Sequence, residues 1–215
     1  MDDADREAAF VGALNNEYFV LQSAASTTVS ESGTRASLFV LSLSSTLVAL
    51  GFVSQSDVAF APFLAVVLPT VFVLGVFTTV RLVDTGIQNV AYIRAMAKIR
   101  HYWAELTPEA PDFFGSPAPD GARAALATVA VRWERQAGSA ALRASRVAEF
   151  FTIASMIATV TSVVGGTGVT LLVDHVLDQD QLAVPLTLGI AAGLLFLAAF
   201  FVYQHFRYRQ TATTG

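Results

Sequence analysis

The chain has no cysteine and little charge. Without cysteine, disulfides, thiol nucleophiles and thiolate metal ligands are all excluded. A soluble domain usually carries about 25% charged residues. Here only 14% of the 215 residues are charged, while 54% are hydrophobic. Charged residues are missing from long continuous stretches, which excludes a disordered chain and a conventional soluble enzyme. The composition therefore predicts an integral membrane protein.

Basic residues are scarce as well, and all but one of the 13 Lys and Arg residues are Arg. The net charge of −4 provides no basic field for nucleic acid, so we expect no nucleic-acid partner. Together with the many Ala, Val and Gly residues, the preference for Arg indicates a GC-rich bacterial genome. Acidic residues occupy the segment from Met1 to Glu17, and we expect no cleavable signal peptide there.

Four apolar segments are each long enough to cross a bilayer, which takes about 20 helical residues. None of them contains Asp, Glu, Lys or Arg. The segments are residues 36–54, 58–80, 150–173 and 182–204. They predict an all-α polytopic membrane protein with four transmembrane helices, whose partner is the lipid bilayer.

The distribution of basic residues predicts the orientation of these helices. The connection between the first two segments and that between the last two contain no Lys or Arg. All basic residues lie in the N-terminal segment, the central segment or the C-terminal tail. The positive-inside rule then places both termini and the central segment in the cytoplasm of a bacterium, with the spans in its inner membrane.

The regions outside the spans also carry helical patterns. Residues 1–35 have an apolar stripe at helical spacing, which predicts a cytoplasmic helix docked on the protein's own cytoplasmic helices. Residues 81–149 predict a cytoplasmic helical hairpin with a proline-rich loop at 107–121. Residues 205–215 form the cytoplasmic tail.

Both arms of the predicted hairpin carry basic side chains at helical spacing. One interpretation is a cytoplasmic site for an anionic ligand such as a lipid headgroup, a phosphate or a nucleotide. The other interpretation is a solvated helix face. The residues concerned are Arg94, Lys98, His101, Arg132, Arg143 and Arg146.

Small and hydroxyl-bearing residues recur at heptad-like spacing in two spans, and the fourth span contains a Gly-x-x-x-Gly motif. Such stripes permit close helix packing within or between subunits. Alternatively, Ser and Thr hydroxyls can line a pore. The residues concerned are Thr152, Ser155, Thr159, Ser162 and Gly166 in the third span, Ser37, Ser44 and Gly51 in the first, and Gly189 and Gly193 in the fourth.

Groups that carry catalysis or ion coupling are almost absent from the spans. The titratable residue nearest to a span is Asp84, at the inner edge of the second span. An i, i+3 ion pair with Arg81 is the simplest explanation for a carboxylate at this position. The acidic connection 174–181 has ligand-type side chains, but a hydrophilic turn explains it better than a weak cation site. We therefore expect no enzyme activity, no catalytic or metal site and no cofactor.

One stretch carries a resemblance to a known group of proteins. Its residues are Glu17-Tyr18-Phe19-x-Leu21-Gln22, Thr28-x-x-Glu31-x-x-x-Arg35-Ala36-Ser37-Leu38-Phe39 and Leu43-Ser44-Ser45-x-Leu47-Val48-Ala49-Leu50-Gly51-Phe52. Residues 15–54 thereby resemble a group of uncharacterised actinobacterial four-span membrane proteins. The plan of spans with attached cytoplasmic helices is similar to that of helical membrane effectors of bacterial nucleotide-signalled defence systems.

Within that stretch, Glu31 and Arg35 stand in the favourable order for an i, i+4 ion pair just before the first span. An exposed pair of this kind contributes only about 0.3–0.5 kcal/mol. If the pair packs against the central hairpin instead, it would fix the N-terminal arm to the bundle. We treat it as a structural ion pair.

These observations leave three classes of function open. The first is a homo-oligomeric pore or channel-like effector that is gated from its cytoplasmic helices. The second, with equal support, is a non-conducting membrane scaffold or signalling protein. The third is a membrane enzyme or a carrier of an uncharged solute. We expect the chain to self-associate through its small-residue faces.

Overall fold

This computed structural model describes residues 2–106, 108–113, 153–177 and 183–212, and within them it contains only helices and the turns between them. Its helices are α1 (Asp3–Val53), α2 (Asp57–Ala104), α3 (Ala110–Phe113), α4 (Ile153–Leu177) and α5 (Ala183–Ala212). The four-residue α3 lies in the predicted loop. The returning arm of the predicted hairpin, residues 122–149, falls outside the described ranges.

Four of these helices, α1, α2, α4 and α5, are long and apolar enough to cross a membrane. The prediction of an all-helical, multi-pass membrane protein is confirmed to that extent. The side of the membrane on which each terminus lies stays a prediction, as does the cytoplasmic location of the central segment.

Helices α1 and α2 are much longer than a span, with 51 and 48 residues. A bilayer core needs only about 20. Neither helix breaks at the predicted junctions near residues 35 and 80. Helix α1 contains no proline, and the two prolines inside α2, Pro62 and Pro69, both lie in its apolar part. Nothing in the sequence breaks either helix at the boundary between its apolar part and the rest of the helix.

Local hydrogen bonds explain where α1 begins. The Asp3 amide donates to the Asp2 carboxylate at 2.7 Å, and the Asp2 amide donates to the Asp5 carboxylate at 3.3 Å. Acidic residues in the first turn also favour the positive end of the helix dipole. These interactions satisfy amides that have no partner inside the helix.

The connection from α1 to α2 is a tight turn. The Ser54 hydroxyl and amide bond back to α1, at 2.8 Å to the Gly51 carbonyl and 2.9 Å to the Leu50 carbonyl. The Ser56 carbonyl then accepts the Phe60 amide at 3.0 Å, which starts α2. The turn satisfies its backbone groups locally.

The chain divides into two compact units, and the first comprises Met1–Glu31 and Thr85–Phe151. Within it, the N-terminal part of α1 packs on the C-terminal part of α2 through aromatic rings. Phe10 meets Tyr102 with ring centroids 5.5 Å apart, and Tyr18 meets Trp103 at 5.2 Å. The buried Thr28 hydroxyl lies 3.4 Å from the Asn89 amide oxygen. The apolar stripe of the N-terminal arm thus contacts another helix of the same chain.

The second unit comprises Ser32–Asp84 and Thr152–Gly215. Its core contains Phe39 of α1, Val83 of α2, and Ile157 and Thr161 of α4, all nearly inaccessible to solvent. Gly75 of α2 permits this packing. A Cβ atom there would clash with the Thr161 side chain and would lie 3.0 Å from the Phe39 ring.

Candidate functional site

Helices α4 and α5 approach each other closely in the second unit, where three glycines meet. A Cβ atom on Gly166 would lie 2.7 Å from the Gly189 carbonyl oxygen and 3.3 Å from the Gly193 Cα. A Cβ atom on Gly189 would lie 2.7 Å from the Gly166 carbonyl oxygen and would collide with the Thr170 hydroxyl. The Gly-x-x-x-Gly motif of α5 therefore packs on α4 of the same chain.

Two serines of the α4 stripe lie in the same region. Ser155 and Ser162 are buried. The Ser162 hydroxyl donates to the Ala158 carbonyl at 2.8 Å, and the Ser155 hydroxyl lies 3.4 Å from the Gln204 side-chain oxygen of α5. Thr159 is exposed, and its hydroxyl donates to the Ser155 carbonyl at 2.8 Å. Thr152 lies outside the described residues.

The rim of the α4–α5 contact is a shallow groove of about 290 Å³. Thr159, Thr167 and Thr170 contribute hydroxyls to its lining, among apolar side chains of both helices. Each of these hydroxyls donates to a carbonyl four residues earlier in α4. The groove therefore offers few polar groups that are not already used by the helix backbone.

The small-residue stripe of α1 has a different environment. Ser37, Ser44 and Gly51 are all exposed, and a Cβ atom on Gly51 would meet nothing within 4 Å. The two stripes that look alike in the sequence thus differ in the structure. Helix α5 covers Ser162 and Gly166 of the stripe on α4, whereas no helix in the described part of the chain covers the stripe on α1.

The predicted anionic-ligand residues are only partly within the described ranges. Arg94 is half-buried and Lys98 is exposed on α2. His101 lies 3.4 Å from the Glu105 carboxylate, and both side chains are exposed. The other three predicted residues, Arg132, Arg143 and Arg146, lie outside the described part of the chain. An anionic-ligand site on this face stays a prediction.

Glu31 and Arg35, the predicted structural ion pair, are both half-buried. Glu31 belongs to the first compact unit and Arg35 to the second. Their assignment as an ion pair stays a prediction.

An ion pair that the sequence analysis did not find joins α2 and α5. The Arg207 guanidinium donates to the Asp84 carboxylate at 2.6 Å, across 123 residues of sequence. The carboxylate, assigned above to Arg81, therefore has a partner on another helix. The Asp84 side chain is 27% exposed. The signal in the sequence was that two opposite charges each lie at one end of an apolar segment.

The Arg207 side chain is 43% exposed, and its guanidinium is held by the bond to Asp84. Its Nε atom is buried, and Nη2 makes the bond to Asp84. The bond through Nη2 joins two opposite charges, and charge-assisted hydrogen bonds are about twice as strong as neutral ones. The pair ties the end of α5 to α2 in the second unit.

Among the described residues, no three His, Asp or Glu side chains gather in a way that could hold a metal ion. The acidic connection 174–181 is described only as far as residue 177. The chain matches no family model, no curated protein and no solved structure. The resemblances stated for residues 15–54 and for the plan of the helices stay predictions.

Proposed function

We propose that the chain is a homo-oligomeric protein of the bacterial cytoplasmic membrane whose subunits meet along one face of α1. We further propose that it acts as a non-conducting scaffold or signalling protein. The observation that carries this proposal is that the small-residue face of α1 is exposed, whereas that of α4 packs on α5.

The exposed face of α1 has the pattern of a helix-packing seam. Ser37, Ser44 and Gly51 alternate along it with Leu41 and Val48, at successive spacings of four and three residues. Leu41 and Val48 are 64% and 61% exposed. Alternating small and large side chains at this spacing suit left-handed packing against a second helix. A second copy of α1 supplies the same seam and is therefore a self-complementary partner.

Two further observations favour a scaffold over a pore lined by α4. Ser162 and Gly166 contact α5, and the hydroxyls of Thr159, Thr161 and Ser162 are bonded to carbonyls of their own helix. A pore through this stripe would require α4 and α5 to separate. A pore lined by α1 is the second candidate, because Ser37 and Ser44 are exposed hydroxyl residues.

Cysteine cross-linking tests the proposed interface, and the chain suits it because it has no native cysteine. We expect Ser44→Cys to form disulfide-linked dimers in membranes, since seam residues of paired helices have Cα atoms within about 7 Å. Leu38→Cys and Leu47→Cys are matched controls, because both residues are 58% exposed but lie off the seam. Equal cross-linking at all three positions would contradict the proposed interface.

Flux measurements on the same protein separate scaffold from pore. The purified chain in liposomes should pass neither ions nor small uncharged solutes if it is a scaffold. Flux that is lost in Ser44→Leu, while the native mass of the assembly in lipid nanodiscs is unchanged, would favour the pore lined by α1. Uncharged-solute flux that Ser44→Leu does not affect would favour a carrier.

A further inference from the structure

The second unit contains an apolar groove of about 780 Å³ between α2 and α4, with Phe196 of α5 also in its lining. This volume lies within the range of about 300–1,000 Å³ that is typical of small-molecule sites. Its walls include Leu64, Leu68 and Phe72 of α2, and Gly168, Leu172 and His175 of α4.

The two helices leave this space because of where they touch. Gly75 and Thr161 hold α2 and α4 together at one level, and Phe72 and Phe196 close the groove next to it, with ring centroids 5.0 Å apart. From that level towards the start of α2 and the end of α4, no side chain of the described residues fills the space beside Gly168, where a Cβ atom would meet nothing within 4 Å.

The groove has the length of one membrane leaflet. Its lining runs from Phe60 to Phe72 along α2. At a rise of about 1.5 Å per residue these twelve steps span about 18 Å. Half of the hydrocarbon core of a bilayer is about 15 Å thick. A chain that enters from the headgroup level beside His175 would thus extend to about the middle of the bilayer.

The charge of the lining matches an uncharged hydrocarbon chain with a polar end. Among the lining residues that the structure describes, none is Asp, Glu, Lys or Arg, and the one titratable residue, His175, lies at the end of the groove and is exposed. A charged occupant would have no partner along the groove. A hydrocarbon chain would contact apolar side chains along its whole length. The polar group attached to that chain would lie at the level of the His175 imidazole.

We propose that this groove is a binding site for one acyl chain of a membrane phospholipid, with the headgroup at the level of His175. The bound chain fills the open space beside Gly168 and so completes the packing between α2 and α4. The site is independent of the α1 seam, which lies on another helix.

Photo-cross-linking with phosphatidylcholine that carries a diazirine in the middle of one acyl chain tests this site on the full-length protein in nanodiscs. Wild-type protein should be labelled preferentially at Leu68 and Leu172 in the groove, compared with Leu47 of α1 and Leu188 of α5, which are 58% and 47% exposed and lie outside both the groove and the α1 seam. Equal labelling of both sets would mean only ordinary contact with bulk lipid and would overturn the proposal.

A groove-filling variant provides the second measurement. Gly168→Leu should reduce labelling in the groove about tenfold, because its side chain displaces about two methylene groups of the bound chain. Gly33→Leu is the matched control, since a Cβ atom there also meets nothing within 4 Å. It should leave groove labelling unchanged. Unchanged labelling in a folded Gly168→Leu protein would overturn the proposal.

Two other occupants are distinguished by the same approach. A diazirine-bearing isoprenoid that labels the groove more strongly than the phospholipid does would overturn the phospholipid assignment. Disulfide-linked dimers formed through Leu172→Cys would show that a second copy of the chain fills the groove, which would also overturn it. The wild-type labelling pattern decides the question even if Gly168→Leu does not fold.

Discussion

Asp84 and Arg207 are 123 residues apart in sequence, each just beyond the end of an apolar segment, and their side chains meet at 2.6 Å. Charged groups at the edge of a membrane span are unfavourable unless they are paired or reach water. The two opposite charges pair with each other, and both side chains remain partly exposed to water. The pair therefore fixes the end of α5 against α2 without an isolated buried charge.

Removal of either charge from this pair should destabilise the second unit. Asp84→Asn leaves the guanidinium without its anionic acceptor and should lower the thermal unfolding midpoint in detergent. The double variant Asp84→Arg with Arg207→Asp should recover most of that loss, since it restores the pair with reversed polarity.

The control for the pair is Arg6→Gln, which removes the exposed pair between Arg6 and Asp3 at 3.5 Å. Exposed pairs contribute little, so this variant should leave the midpoint nearly unchanged. An Asp84→Asn protein as stable as wild type, or a double variant no better than Asp84→Arg alone, would show that the contact does not stabilise the fold.

At the scale of helices, α4 and α5 pack closely because each lacks side-chain atoms where the other approaches. Gly166, Gly189 and Gly193 bring backbone atoms of the two helices near van der Waals contact. Lipid tails provide no hydrophobic drive for helix association, so close packing of this kind is a main source of stability between membrane helices. The spacing of small residues predicted close packing, and the structure identifies α5 as the partner of the α4 stripe.

Two alanine substitutions on α4 should have opposite effects on stability. Gly166→Ala should destabilise the protein, because overpacking costs about 1–3 kcal/mol. That exceeds the gain of about 0.8–1.0 kcal/mol in helix propensity. Gly168→Ala, two residues away with open space around its Cβ, should retain the propensity gain. Chemical unfolding in mixed micelles measures both changes, and equal effects would contradict the packing of α4 on α5.

At the scale of the whole molecule, four apolar helices and an uneven distribution of basic residues determine the membrane topology that we propose. The turn 54–56 between α1 and α2 contains no basic residue, whereas Arg94, Lys98 and Arg100 lie in the part of α2 beyond its apolar segment. Basic residues favour the cytoplasmic side. The N-terminal part of α1 contacts that same part of α2 through Phe10 and Tyr18, so both should lie on one side of the membrane.

Single cysteines report this topology directly. Ser56→Cys in the turn should react with a membrane-impermeant maleimide in intact cells. Asp5→Cys near the N-terminus should react only after the membrane is permeabilised. The reversed pattern would show that the termini face outwards, and labelling of both positions in intact cells would rule out the predicted arrangement of α1.

The sequence by itself determined the class of the protein and the number of its apolar helices. Hydropathy over about 20 residues is a local property, and a charge-free run of that length needs no tertiary contact to be recognised. Because α1 contains no proline, its continuation beyond the membrane segment likewise depends only on local sequence. For the same reason the sequence could identify both small-residue stripes.

Only the tertiary structure decided which of these stripes is covered, which residue pairs with Asp84 and where a groove opens beside Gly168. Each of these depends on the rotation and separation of helices that are distant in sequence. Side chains with identical local spacing, such as those of Ser44 and Ser162, therefore end in different environments. The exposed face of α1 and the partner of Asp84 are set by how whole helices pack, and local sequence does not contain that information.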